Sequence, residues 1–134
     1  AEVSMDANNR PVVHKVTCAV DCGWAVNPDT VEAQIESGII FGLTAAMYGE
    51  IRIENGHVAT GNFPDYEMVR MATTPEIEVH IVESGEALGG LGEPATPPIA
   101  AAVTNAIYIL TGQRVRELPI SKHNFSRSTP VATV

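Results

Sequence analysis

From Gly85 to Pro98 the chain reads Gly-Glu-Ala-Leu-Gly-Gly-Leu-Gly-Glu-Pro-Ala-Thr-Pro-Pro, which sets one carboxylate, Glu93, in a glycine-rich loop ahead of a helix start. Glycine lacks the Cβ that keeps backbone away from a ligand, and a helix N-terminus offers unpaired amides to an anionic group. Such a loop suits a phosphate or the polar edge of a cofactor. Pro94 pushes the backbone of Glu93 to an extended conformation, which holds the carboxylate at a set angle, a useful property in a general base. A simpler use is also open to this residue, since an acid ahead of a helix favours the positive end of its dipole.

The spacing Gly90-x-Gly92-x-x-Ala95 also fits a dinucleotide-binding fingerprint. Its context argues against a nucleotide-binding domain. The true fingerprint turns tightly out of a buried parallel strand, whereas here several residues intervene, Pro94 lies inside the pattern, and the preceding strand alternates Glu with Ile.

Cys18 and Cys22 are the two cysteines of the chain. In a strand, four residues separate their Cα atoms by about 13 Å, and a mutual disulfide needs about 7 Å or less. Without a histidine cluster they also fall short of a zinc site, so they read as small apolar side chains.

The elements that must position these residues follow from periodicity. Val12 to Val20 alternates, with Val12, His14, Val16, Cys18 and Val20 on one parity, and reads as a strand. Asn27-Pro28-Asp29 supplies a capping side chain, a first-turn proline and a first-turn acid, so a helix is expected from there to about Met47. On that helix Gln34, Gly38, Gly42 and Ala45 or Ala46 form a ridge with little bulk, which implies close approach by another element or a ligand. Gly49 to Ile53 and His57 to Thr60, joined by Asn55-Gly56, read as a hairpin. Residues 61–74 read as a surface loop with room for a short helical turn, and Glu76 to Val82 as a half-exposed antiparallel strand with an acidic outer face. A second helix is expected from a Thr96 cap through Pro97-Pro98 to Gly112, then a strand from Val115 to Ile120.

The expected fold is therefore α+β, two main helices on an antiparallel or mixed sheet. The domain occupies residues 1–120, and residues 121–134 form an extended or disordered tail. A chain of 134 residues with 45% hydrophobic residues suits one core. Sixteen acids against eight basic residues, a net charge of −8, argue against nucleic acid or anionic membrane as partners. No stretch approaches the roughly 20 apolar residues of a membrane span. The opening Ala-Glu-Val-Ser-Met-Asp has neither an initiator Met nor signal-peptide regions and reads as a piece of a longer protein.

The string from Gly89 to Ala100, with Asn105-Ala106 and Thr111 to Ile120, closely resembles the end of the molybdenum-binding large subunit of the xanthine oxidase and aldehyde oxidase family. Val20-Asp21-Cys22-Gly23, Val26-Asn27-Pro28 and Gln34-Ile35-Glu36-Ser37-Gly38 resemble the same family in the same order, so the likeness covers roughly residues 18–120. Tyr48-Gly49-Glu50 and Pro75 to Val79 are similar to the isoquinoline 1-oxidoreductase and aldehyde dehydrogenase types. Ser37, where many relatives carry a second glycine, and Ala102, near a frequent proline, depart from the pattern.

The resemblance implies a fragment of a larger molybdopterin-binding domain, with Glu93 as the catalytic base of a water-derived hydroxylation of an aldehyde or N-heterocycle. It further implies that Gln34, Gly38, Gly90 and Gly92 contact the molybdenum pterin, usually in its cytosine dinucleotide form, a cofactor not expected on the isolated fragment. Iron-sulfur clusters are expected on a partner subunit or domain, because two cysteines cannot hold one. The remainder of the large subunit would be a further partner and a small molecule the substrate. The alternative is a non-catalytic assembly module closing that subunit, in which Glu93 would face packed protein and a fixed cation.

Overall fold

The computed structural model describes residues 1–125. In chain order the elements are β1 (Glu2–Met5), β2 (Pro11–Val20), α1 (Pro28–Tyr48), β3 (Ile53–Glu54), β4 (His57–Val58), β5 (Glu76–Ile81) and α2 (Thr96–Thr111), with short 3-10 turns at Phe63–Asp65, Met71–Thr73 and Ile120–Lys122. Strands β1, β2 and β5 form a mixed sheet in that spatial order, and β3 with β4 a separate exposed hairpin. The two helices pack on the sheet and on each other, which makes the α+β arrangement expected from the sequence.

Local chemistry sets the helix ends. The Asn27 side chain accepts the Thr30 amide at 3.1 Å, and Pro28 opens α1. Val31, Ile35, Ile39, Leu43, Ala46 and Met47 then recur every three or four residues as one buried stripe. Helix α2 buries Ile99, Val103, Ile107 and Thr111, each four residues apart, and stops on Gly112 in the left-handed conformation at φ 72°. Thr96 does not cap it, contrary to expectation. Ala95 precedes the helix, and a capping side chain would normally take the amides of the second or third helical residue, which here are Pro97 and Pro98 and have none. The Thr96 hydroxyl is turned instead to the Gly38 carbonyl of α1, 3.3 Å away.

Three strand expectations need correcting. Strand β5 runs parallel to β2, from Lys15 opposite Glu76 to Val20 opposite Ile81, because α1 and residues 49–75 carry the chain back to the start of β2 before β5 begins. The even parity expected of β2 breaks at its start: β1 residues Glu2 and Val3 face Lys15 and Val13, which leaves His14 as the extra residue of a bulge. Val13 is therefore buried with Val16 and Val20, while Val12 stays exposed. Residues 113–119 form no strand. Arg116, Glu117 and Leu118 are exposed, and Pro119 has no amide to give a ladder.

Strand β1 has no counterpart in the sequence reading. It is turned back onto β2 by Asp6, whose Oδ1 accepts the amides of Asn8 and Arg10 at 2.8 Å each. Across β2 and β5 the Lys15 ammonium bridges Glu76 at 3.1 Å and Glu78 at 2.9 Å, which offsets the acidic face of β5. The hydrogen bond and charge of Lys15 hold the Glu78 carboxyl below its usual range. At the far end, Ile120 and Phe125 enter the core, at 0% and 1% exposure. Phe125, within the expected tail, thus packs against the body, and residues 126–134 of that tail lie outside the described residues.

Candidate functional site

Because β2 and β5 are parallel neighbours, both finish at the same end of the sheet, at Val20 and Ile81. The segments leaving them, residues 21–27 into α1 and 82–95 into α2, lie side by side. In open sheets with parallel strands this region, beyond the carboxyl ends, is where ligands gather.

The two segments are tied together by backbone and side chain. Val82 donates its amide to the Val20 carbonyl at 2.8 Å, and Gly89 to that of Cys22 at 2.9 Å. Asp21 Oδ1 accepts the Gly23 amide at 2.9 Å and the Ser84 hydroxyl at 2.8 Å. Those donors, the Gly23 amide foremost, hold the Asp21 carboxyl below the usual aspartate range. Gly23 has φ +71°, and a Cβ there would sit 2.2 Å from the Ala87 carbonyl oxygen, so only glycine fits.

Between the segments runs an open groove of about 590 Å³, lined on one side by Trp24, Val26 and Gln34 and on the other by Leu88, Leu91 and Gly92. Gln34 spans it, donating from Nε2 to the Gly92 carbonyl. Gln34 and Gly92, paired on the sequence, are thus brought together here. Gly90 lies between Gly89 and Leu91, which line the groove, and is itself exposed. A Cβ built on Gly90 or Gly92 would meet nothing within 4 Å.

Glu93 follows Gly92 at the edge of the groove without lining it. Its side chain is exposed and makes no ion pair among the described residues. Its carbonyl accepts the Thr96 amide at 3.2 Å, and Ala95, two residues on, is buried. Gly38 sits one turn from Gln34 and faces α2: its missing Cβ would lie 3.1 Å from Ala95 Cβ, and Gly42's 2.4 Å from the Thr96 carbonyl oxygen. The small-residue ridge is thus filled by the start of α2. No grouping of three or more His, Cys, Asp or Glu able to hold a metal occurs among the described residues.

Sequence reasoning missed Asp21, Ser84 and Trp24. Asp-x-Gly is a local turn pattern that could have flagged Asp21, but its pairing with Ser84, 63 residues on, leaves no mark in the sequence.

Fold and groove together make an α+β domain with a ligand-sized opening at the ends of adjacent parallel strands. The chain belongs to the molybdopterin cofactor-binding domain family, whose model matches residues 1–75. It is 39% identical over 128 residues to the isoquinoline 1-oxidoreductase subunit beta of Brevundimonas diminuta, covering 94% of this chain and 16% of that protein. It is 36% identical over 121 residues to the membrane-bound aldehyde dehydrogenase [pyrroloquinoline-quinone] of Gluconacetobacter polyoxogenes, covering 90% of this chain and 16% of that protein. The crystal structure of quinoline 2-oxidoreductase from Pseudomonas putida 86 superposes with a TM-score of 0.72 at 27% identity, over 78% of this chain and 14% of the other. Both types of relative expected from the sequence are found, and the chain spans 16% of the length of each. Among the described residues no helix is long and apolar enough to cross a membrane.

Proposed function

We propose that the chain is the base-bearing part of a molybdenum hydroxylase large subunit, an oxidoreductase acting on an aldehyde or N-heterocycle with oxygen drawn from water. The names of the relatives support the reaction class. One observation carries the role of Glu93: its carboxylate is exposed and without an ion pair among the described residues, on a loop anchored at both ends beside an open groove. The assembly-module reading needs that carboxylate packed against a cation, and the nucleotide-binding reading needs a tight turn where residues 82–95 separate strand from helix. Neither is favoured.

The residues at the groove fit a pterin edge. Gly90 and Gly92 are free of neighbours where a side chain would stand, and their φ angles lie outside the left-handed region, so this chain gives no reason of its own for glycine at either place. The exposed backbone at Gly90 and Gly92, apart from the Gly92 carbonyl taken by Gln34, is accessible to a polar edge arriving from outside. Gln34 ties Gly92 down and has a carboxamide oxygen left for a ligand donor, while Gly38 lets α2 seat closely against α1, which sets where Glu93 stands. Molybdenum on its pterin, in the cytosine dinucleotide form, supplies the redox chemistry when bound. Glu93 takes up the proton released as water-derived oxygen is activated. Iron-sulfur clusters, each taking four thiolates where the chain has two cysteines, would sit on another subunit or domain and would supply the electron acceptor.

The test is Glu93→Gln in the complete enzyme. Loss of a general base should lower kcat by about 100-fold or more, with molybdenum content by elemental analysis unchanged. Near-normal kcat at full molybdenum content would remove Glu93 from the chemistry.

A further inference from the structure

Residues 82–90 are all exposed, so burial cannot hold the first nine residues of the segment that delivers Glu93. Their order must come from polar ties: Val82 and Gly89 bond the carbonyls of Val20 and Cys22 through backbone, and the side-chain ties converge on Asp21. Asp21 Oδ1 receives the Ser84 hydroxyl and the Gly23 amide, and the Ser84 oxygen in turn accepts the Glu86 amide at 3.3 Å. Gly23, fixed by Asp21, is the surface on which the Ala87 carbonyl rests. Hydrogen bonds to an ionised acceptor are about twice as strong as neutral ones, so removing Asp21 loosens both segments at once.

We propose that Asp21 is a positioning residue for Glu93: through Ser84 and Gly23 it fixes the near half of the loop whose far end carries the carboxylate. Gln34 and Thr96 hold that far end, so the two sets of ties leave Glu93 on a short span between fixed points. The inference rests on the general-base reading of Glu93 for its consequence, but its physical content, the order of residues 83–92, does not depend on it.

Amide hydrogen exchange read by mass spectrometry on the full chain separates the two. In Asp21→Ala, residues 83–92 should exchange about tenfold faster or more, with protection of α1 and α2 unchanged. Asp21→Asn keeps an acceptor oxygen in place for both donors and should restore most of that protection. Unchanged exchange in Asp21→Ala, or an Asp21→Asn variant as open as Asp21→Ala, would overturn the proposal. In the complete enzyme, Asp21→Ala should lower kcat with molybdenum content retained, and Asp21→Asn should recover it. If Glu93→Gln keeps its activity while the exchange result holds, the base reading fails and the positioning of the loop stands.

Discussion

Glu93 and Asp21 are both acids on exposed loops, and their surroundings differ. The Glu93 carboxylate is exposed and makes no ion pair among the described residues, whereas one oxygen of Asp21 is filled by two donors from different segments. The second arrangement has a pH signature. Because the folded value of Asp21 lies below its ordinary 3.8, its contribution is complete above that value and is lost as pH falls through the lower, folded one. Trp24, beside Gly23 and 70% exposed, is the single tryptophan and reports on this loop. Its emission should stay constant from neutral pH to about pH 4 and change only below it, and this change should be absent in Asp21→Asn. A transition of equal size in the variant would assign it to other acids. Glu93 stood out in the sequence as a candidate because its context, glycines before and prolines after, is contiguous. Asp21 did not, because half of its environment arrives from the other parallel strand.

At the scale of elements, the contact between α1 and α2 decides where the site stands. A ridge at Gln34, Gly38 and Gly42 implied a close neighbour, and the neighbour is the first turn of α2. Gly42→Ala should test this, because alanine gains about 1 kcal/mol of helix propensity over glycine but its Cβ would stand 2.4 Å from the Thr96 carbonyl oxygen and 2.6 Å from Ile99 Cγ2. Backbone at that distance cannot be moved aside by a rotamer change, so overpacking should win and stability in urea should drop by about 1–3 kcal/mol. Gly38→Ala meets only Ala95 Cβ at 3.1 Å and should cost less. A stabilised Gly42→Ala would mean that the helices do not meet this closely. Both helices were legible because periodicity and caps are local. The direction of β5 was not, since alternation records which face is wet and says nothing of which way the neighbouring strand runs. The strand expected at Val115 to Ile120 failed because Pro119 has no amide to give a ladder and no described strand pairs with the segment.

The described residues share one core, which Ile120 and Phe125 help to close. The mixed sheet, both helices, Ile120 and Phe125 share a single buried cluster, although the sequence reading placed its boundary at residue 120. Ser, Thr and single basic residues around Phe125 gave that stretch the composition of a tail, and one large apolar residue does not show by itself whether it is buried. Two phenylalanines make the comparison. Phe125 is 1% exposed, and its replacement by alanine should cost about 3–5 kcal/mol, a large part of the roughly 5–15 kcal/mol that holds a domain together. Phe41, on the outer side of α1 at 69% exposure, should change stability by no more than about 0.5 kcal/mol when made alanine. Denaturant unfolding of the two variants of this chain measures both, and a Phe125→Ala variant as stable as Phe41→Ala would show that the core closes without residues beyond Ile120.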